Sequence, residues 1–334
     1  MDFIEFTAGQ NDDGRRLDKV FRIIAADLPL SNLYKYIRKG LVRVNGKKIR
    51  PDFRLSSGDV IQLAAFIADG KKTEKENIKE NKDDEKSLSV IFENENYLVV
   101  KKPYDISVHG AIQNGKKPLE DIVRKYLKST QESSLAFTPG PLHRLDRKTS
   151  GLIVFSKSLL GARWFSELIK NHGIIKSYCA VLQGKLKEKC TWKDYIYSQE
   201  EKGAGFHKVR CSSDVNPDSD SDSDKWKEAL SLAEPLAFGT FKGITVTLAR
   251  ITIYTGRKHQ IRAQSAFHSF PLLGDTAYGA ESLKDSGLSR DFYLAAERLT
   301  LLEEYYDNES GFPKELFVDS KEDFSDIIKY CDIK

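Results

Sequence analysis

Thr245-Val246-Thr247-Leu248-Ala249-Arg250-Ile251-Thr252-Ile253-Tyr254 is the stretch that decides the fold class. Polar and apolar residues alternate with period two, and β-branched side chains dominate. That pattern belongs to a strand with one covered face, as antiparallel sheets have. Thr255-Gly256-Arg257-Lys258-His259-Gln260-Ile261-Arg262 follows it, and the pattern predicts a helix over 258–267 that places Arg257, His259, Gln260 and Arg262 on its first turns. A helix start can hold an anion, because its first N–H groups have no partner within the helix. Taken alone, Arg262 fits the surface of an amphipathic helix equally well.

Outward from there the pattern is mixed α+β. Strands are predicted over 90–92, 97–101, 153–155, 178–182 and 243–254, and helices over 119–127, 159–169 and 258–267. No glycine-rich phosphate loop occurs, which argues against nucleotide hydrolysis or a dinucleotide cofactor. With 334 residues, 40% of them hydrophobic, the chain is long enough for two domains with a sizeable core. Its first residues, Met1-Asp2-Phe3-Ile4-Glu5, lack the basic and apolar regions of a signal peptide, and its longest apolar stretch, near 60–68, is too short to span a bilayer. A soluble cytoplasmic protein is the expectation. Cys179, Cys190, Cys211 and Cys331 form no Cys-x-x-Cys pair and have no His at ligand spacing, so neither a zinc site nor a disulfide framework is indicated.

The net charge of +4 is uninformative, but its distribution is not. Between Asp12 and Phe66 stand twelve Lys and Arg against six Asp. In that segment Leu17, Val20, Phe21, Ile24 and Leu28 recur at helical spacing up to Pro29. Ser31 is positioned to cap a second helix that Gly40 ends, and Leu41-Val42-Arg43-Val44-Asn45-Gly46-Lys47-Lys48-Ile49 reads as a hairpin around Asn-Gly. Lys35, Arg38, Lys39, Arg43, Lys47, Lys48, Arg50 and Arg54 face a single acid, Asp52, which describes either a solvated face or an anion-binding surface. Residues 69–87 are a run of Lys, Glu, Asp and Asn with little to bury, expected to be a flexible linker. Residues 212–224, with their Asp-Ser repeats, read as an acidic insert.

Pro141-Leu142-His143-Arg144-Leu145-Asp146-Arg147-Lys148-Thr149-Ser150-Gly151 offers one carboxylate between Arg144 and a Thr149-Ser150-Gly151 turn. Prolines and a glycine break any helix before it, and Leu152-Ile153-Val154-Phe155 after it reads as a buried strand. A carboxylate on a loop held by a rigid element suits a nucleophile. It equally suits an Asp that caps its own turn.

Two resemblances bear on that choice. Arg16-Leu17-Asp18, a helix, Lys39-Gly40-Leu41-Val42-Arg43-Val44-Asn45-Gly46-Lys47 and Gly58-Asp59-Val60-Ile61 together resemble, over about 15–63, the small α/β RNA-binding module named after ribosomal protein S-four. Five further segments stand in the order and at the spacing of the RluA-type pseudouridine synthases, which act on large-subunit ribosomal RNA. They are Tyr97-Leu98-Val99-Val100-Lys101-Lys102-Pro103 with His109; the Asp146 segment; Lys176-Ser177-Tyr178-Cys179-Ala180-Val181-Leu182-Gln183-Gly184; the Arg262 segment; and Gly274-Asp275-Thr276-Ala277-Tyr278-Gly279. The resemblance spans about 90–301, and a module of the S-four type in front is the arrangement of the RluC and RluD members.

The resemblance implies an α+β fold: a catalytic domain with a mixed, largely antiparallel sheet over 88–334, joined by the linker to a small α/β RNA-binding domain over 1–68. It implies that Asp146 is the catalytic aspartate, Arg262 the arginine paired with it, Tyr178 the tyrosine packed on the target base, Ile261 the apolar neighbour of that base, and Arg144 the arginine that extrudes the uridine. His143, Arg257, Gln260 and Lys102 are expected to contact RNA, as is the basic face of Lys35, Arg38, Lys39, Arg43, Lys47 and Lys48. The expected partner is RNA, with no membrane, metal or cofactor, and the expected state is a monomer.

The chemistry asks for such residues. Glycosidic bond cleavage, rotation of uracil and re-attachment through C5 need a nucleophile and a closed pocket, with no redox step. Desolvation disfavours a charged Asp, and a neighbouring Arg offsets that. Departures from the family pattern are Ala295-Ala296, where many members have His-Ala, and Gln264, where His is common; both are expected to bear on packing or substrate detail. Two other readings stand beside this one: a catalytically silent RNA-binding factor of the same fold, and a glycosidase, which ordinarily needs a second carboxylate.

Overall fold

Asn45 and Gly46 turn the N-terminal hairpin with φ of 50° and 76°, the pair of positive values that a two-residue turn matched to strand twist requires. The computed structural model describes residues 2–26, 28–68, 88–128, 134–197, 209–214, 225–283 and 286–332. The expected linker at 69–87 and most of the acidic insert lie outside the described residues.

The first elements are β1 (Phe3–Thr7), α1 (Leu17–Ile24), α2 (Leu30–Lys39), β2 (Val42–Val44), β3 (Lys47–Lys48), β4 (Val60–Ala64) and α3 (Ala65–Ala68). The strands form a sheet of order β1-β4-β2-β3, and Leu17, Val20, Phe21, Ile24, Leu33 and Ile37 from the helices pack on it. The helical periodicity was expected to reach Leu28, yet α1 stops at Ile24. Leu28 still packs against the core although it lies outside the helix, and as the residue before Pro29 it is disfavoured in helical geometry. No side chain caps α2, whose N-cap is Pro29 rather than Ser31, whereas Gly40 ends it in the left-handed conformation as expected.

A second, mixed and mostly antiparallel sheet contains β5 (Ser89–Glu93), β6 (Tyr97–Lys102), β7 (Gly140–Pro141), β8 (Ser150–Ser156), β9 (Ile174–Gln183), β10 (Cys190–Tyr197), β11 (Arg210–Ser212), β12 (Trp226–Phe241), β13 (Ile244–Ile253), β14 (Leu294–Leu301), β15 (Glu315–Phe317) and β16 (Cys331–Asp332). Its main path runs β11-β10-β12-β13-β9-β14-β8-β6-β5, and the single parallel pairing on that path joins β14 to β8. The remaining described α-helices are α4 (Leu119–Lys128), α5 (Leu159–Lys170), α6 (Gln260–Phe267) and α7 (Ser325–Ile328). Leu98, Val100, Ile153, Tyr178, Ala180, Ile251, Ile261 and Leu294 from six of these elements meet in one buried cluster.

Two local features differ from what the pattern predicts. Ser150 and Gly151 belong to β8 rather than to a turn, and Gly151 has a φ of 109°, where a Cβ would collide with the Ala296 carbonyl and lie 2.6 Å from the Ala296 nitrogen. The glycine is therefore what lets β8 approach β14. The long strand β12 carries Pro235 in its middle, a residue that argues against a central strand; a register shift between Pro235 and Ala237 accommodates it.

The two sheets are joined through Asp12. This fully buried carboxylate accepts hydrogen bonds from Gly9 N (3.0 Å), Ser134 Oγ (2.8 Å), Leu135 N (2.9 Å) and Ala136 N (3.1 Å). Leu135 and Ala136 pack on the N-terminal core, and Asn11 Oδ1 accepts from Leu159 N at the start of α5 (2.8 Å).

Candidate active site

Asp146 lies on the tight loop between β7 and β8, which is pinned at several points. Leu142 N donates to Val154 O (2.8 Å), Val154 N to His143 Nε2 (3.1 Å), and Thr149 N to Asp146 O (3.0 Å). Leu145 is buried in the central core beside Tyr178 and Ile261. From β6, Lys102 Nζ donates to Pro103 O (2.9 Å), Ile106 O (2.7 Å) and Arg147 O (2.9 Å). Burial pushes the Lys102 pKa down to about 7 while Asp146 and Asp105 oppose that shift; the three carbonyls hold the ammonium form, which alone supplies three N–H donors. Lys102 is fully buried and its donors are engaged, so it braces the Asp146 loop and does not contact RNA.

Asp146 itself is partly exposed and faces a cavity of about 380 Å³ lined by Arg144, Tyr178, Arg257, His259, Ile261 and Arg262, among others. A second cavity of about 890 Å³, also lined by Asp146, Arg144, His259 and Arg262, opens beside it toward Arg147, Lys148 and Arg290. The structure thus gathers Asp146, Tyr178, Ile261, Arg262 and Arg144 around one space, as the sequence led us to expect. Tyr178 comes from β9, where it pairs with Ala296 of β14 and Ile251 of β13, and burial pushes its phenol pKa up, with the Asp146 charge adding to the shift.

Arg262 meets Asp146 as expected, at the outer limit of an ion pair, and it has a second, shorter carboxylate partner. Its Nη1 stands 3.9 Å from Asp146 Oδ2, while Nε and Nη2 donate to Asp275 at 2.7 and 2.8 Å in a buried bidentate pair. The guanidinium also lies between the rings of Phe292 and Tyr278, 4.7 and 4.9 Å from their centroids. Burial works against the Arg262 charge, and the hydrogen bonds and charge of Asp275, with Asp146 adding, overcome it, so its pKa is raised. Asp275 holds the arginine through two short hydrogen bonds, and Asp146 stands beside it at ion-pair distance.

Helix α6 begins at Gln260, two residues later than predicted, because His259 takes a left-handed backbone with φ of 52°. Gln260 folds back over this corner. Its Oε1 accepts from Thr255 Oγ1 (2.9 Å) and Arg257 N (3.0 Å), and its Nε2 donates to Leu230 O (3.2 Å) and Ser231 Oγ (3.0 Å). All four hydrogen-bonding positions of the buried amide are filled, so Gln260 shapes the corner and is not available to a base, contrary to expectation. Arg257 Nε donates to Glu228 O (2.9 Å), and the residue lines the cavity. His143 stacks on Phe165 at 6.2 Å, and burial holds its pKa well below the usual range, so it lines the wall as a neutral ring rather than as a cation for phosphate.

The sequence placed His259 only at a helix start able to hold an anion. Its Nδ1 lies 2.9 Å from Tyr278 Oη, which accepts from Val209 N (3.1 Å), and its Nε2 faces Asp146 Oδ2 at 3.8 Å. Burial pushes its pKa down to about 4, with Arg262 and Lys258 adding and Asp146 opposing, so the ring is neutral at neutral pH.

At the other sheet, Lys35, Arg38 and Lys39 of α2 and Arg43, Lys47 and Lys48 of the hairpin are all exposed. Arg43 Nε donates to Gly40 O (3.1 Å), and the Lys48 stem comes within 3.4 Å of the Cβ position of Gly40. Helix end and hairpin therefore form one basic surface.

Residues 96–267, just over half of the chain, match the RNA pseudouridylate synthase family, and residues 15–61 match the S4 domain. The chain belongs to the RNA pseudouridylate synthase family. Among curated relatives of this pseudouridine synthase, ribosomal large subunit pseudouridine synthase C of Pasteurella multocida is 27% identical, over 86% of this chain and 83% of the relative. The protein of the same name from Escherichia coli K12 is also 27% identical, over 86% of this chain and 85% of the relative. Human RNA Pseudouridylate Synthase Domain Containing 4 has the same fold, with a TM-score of 0.51 at 21% identity over 69% of this chain and 88% of that one. Human RNA Pseudouridylate Synthase Domain Containing 1 gives 0.50 at 20% identity over 72% and 94%.

Both departures from the family pattern lie in packing. Gln264 is buried and bonds Ser231 Oγ, Trp192 O, Asp194 Oδ2 and Ala229 O, while Ala295 is buried beside Cys179 and Tyr293. Among the described residues no helix is long and apolar enough to cross a membrane.

Proposed function

We propose that this pseudouridine synthase isomerises uridines of large-subunit ribosomal RNA, with Asp146 as the nucleophile on a base flipped into the cavity. The observation that carries this reading is the cavity itself. Asp146 is the only carboxylate among its described lining residues, and it sits with the aromatic Tyr178, the apolar Ile261 and the cations Arg144 and Arg262. The curated relatives supply the substrate class by their names.

The reaction breaks C1′–N1 and forms C1′–C5. The proton that leaves C5 is matched by one taken up at N1, so no oxidant and no energy source enter. Asp146 attacks either the ribose C1′ or the uracil ring, forming a covalent intermediate that divides one hard step into two. Arg262, fixed by Asp275 and two aromatic rings, holds positive charge at a set distance from the carboxylate without moving during the reaction. Tyr178 offers a ring for the base to pack on, and its raised pKa keeps it a phenol, hence a hydrogen-bond donor. Arg144 is exposed at the mouth shared by both cavities, where it can fill the place that the base leaves and offset the few kcal/mol of unstacking. The exposed basic surface of α2 and the hairpin grips phosphates away from the site.

A glycosidase needs a second free carboxylate. Asp275, which lines the second cavity with Asp146, is engaged in two hydrogen bonds with Arg262. Pseudouridine mapping of a large-subunit RNA transcript treated with the parent enzyme, Asp146→Asn and Asp146→Ala tests the proposal. The parent is expected to convert uridine and the variants to fold without converting it. Full turnover by either variant overturns the role of Asp146, and release of free uracil overturns the isomerisation.

A further inference from the structure

Lys176 lines the cavity and has no part in the chemistry proposed above. It lies on β9 two residues before Tyr178, so both side chains stand on the same face of the strand. Strand geometry places their backbones about 6.7 Å apart, the scale of a nucleotide step. Both line the cavity, and the Asp146 charge acts on Tyr178 but not on Lys176. We propose that Lys176 forms a second station of the cavity, one that binds a backbone phosphate of the RNA beside the isomerised uridine. The proposal rests on the reading of the cavity as the uridine site and adds to it the path of the neighbouring strand.

The partners of the surrounding cations set Lys176 apart. Arg262 is paired with Asp275, Lys102 with three carbonyls, Lys148 with Asp291 at 2.5 Å and Arg147 with Asp105 at 3.4 Å. Lys176 is half-buried, and among the described residues no carboxylate, carbonyl or hydroxyl is paired with its ammonium. Burial pushes its pKa down to about 8, and no acid offsets that shift. Holding a lysine in such a place without a counter-charge is unfavourable, and an anionic ligand removes the penalty. The one carboxylate among the described lining residues, Asp146, does not offset the Lys176 shift. Arg257 and Lys258 line the same cavity, so an anion bound there meets further positive charge. The phosphodiester is the anionic group that an RNA strand carries at every step. A base carbonyl, the competing ligand for an ammonium, contributes no charge and leaves no trace in the salt dependence.

The test uses the full chain and a pseudouridine-free transcript of large-subunit RNA, with kcat and KM measured for the parent, Lys176→Met, Lys176→Gln and Lys176→Arg across a salt series, and thermal melting recorded for each. Lys176→Met and Lys176→Gln are expected to raise KM about tenfold at low salt, to leave kcat within about threefold, and to flatten the slope of log KM against log salt by about 0.7, the share of one single-strand phosphate. Lys176→Arg is expected to restore the parent KM and slope. An unchanged KM and slope in folded Lys176→Gln overturns the phosphate station while leaving the function of the cavity intact. A loss confined to kcat with the slope unchanged also overturns it, and points to a contact with the base. If the parent converts no uridine in the transcript, the reading of the cavity falls and this proposal falls with it.

Discussion

Replacing Asp275 by Asn tests the most structure-dependent part of the site. The carboxylate takes two short hydrogen bonds from Arg262, and the two side chains are only 2% and 6% exposed. Asparagine keeps one acceptor but turns an NH2 group toward the guanidinium and removes the charge that balances it. Breaking a buried pair by removing one partner costs about 3–5 kcal/mol, and the retained acceptor places this case near 3 kcal/mol. For a domain of this size about 1 kcal/mol corresponds to roughly 2–4 °C, so the melting temperature is expected to fall by about 6–12 °C. The site changes as well. Arg262 Nη1 already stands 3.9 Å from Asp146, and a guanidinium freed from Asp275 will close on that carboxylate. A charged hydrogen bond of about 1.5–3 kcal/mol to the nucleophile in the ground state slows turnover by about 10- to 100-fold. Differential scanning calorimetry and single-turnover pseudouridine formation read the two effects separately. A variant that melts within 2 °C of the parent and turns over at the parent rate refutes the claim that Asp275, rather than Asp146, is the structural partner of Arg262.

Three further outcomes follow from the geometry. Gly151→Ala places a methyl group into the Ala296 backbone at a φ of 109° and is expected to cost at least about 4 kcal/mol, read as loss of the folded state in urea titration; a fully stable variant would mean that the β8 and β14 pairing tolerates widening. Asp12→Ala leaves the N–H groups of Leu135 and Ala136 without their acceptor, at about 1–3 kcal/mol, and hydrogen exchange at those two amides is expected to accelerate ahead of the rest of the chain. His259 has a folded pKa of about 4 against an ordinary 6.5, so the unfolded chain takes up the proton first as the pH falls; stability is complete above about 6.5 and is lost toward 4 by about 3 kcal/mol. Urea unfolding at pH 7 and 4.5 should show a smaller drop for His259→Gln than for the parent, and equal drops would remove His259 from the account.

Much of the fold was legible because its signals are local. The alternation of 245–254 gave β13, the Asn-Gly pair gave the hairpin, and the apolar run after Gly151 gave the buried β8. Strands β10, β12 and β14 were not predicted. β12 contains Pro235 and polar residues on both faces, and its stability comes from pairing with β10 and β13 along its length, which leaves no periodic trace in its own sequence. Leu28 misled for the opposite reason: it is apolar at helical spacing because it packs on the core, not because it is helical.

The residues around Asp146 divide in the same way. Their types and order along the chain are fixed by sequence; the family resemblance these carry identified Asp146, Tyr178, Ile261, Arg262 and Arg144 as one group, and the charge distribution marked Lys35 to Lys48 as a basic surface. Which groups are still available for chemistry was decided only in three dimensions. Gln260 and Lys102 read as RNA contacts in the sequence, yet both are buried with their hydrogen bonds filled from the protein. Arg262 read as the partner of Asp146 and is one at 3.9 Å, but the shorter bonds to Asp275 that fix it were not legible, and His259 enters the site through a left-handed corner that shortens α6. Hydrogen-bond partnership and burial depend on atoms brought together from distant elements, β6 with the Asp146 loop and α6 with the segment at Asp275. Residue type states what a side chain can do, and packing settles which of those capacities are left for the substrate.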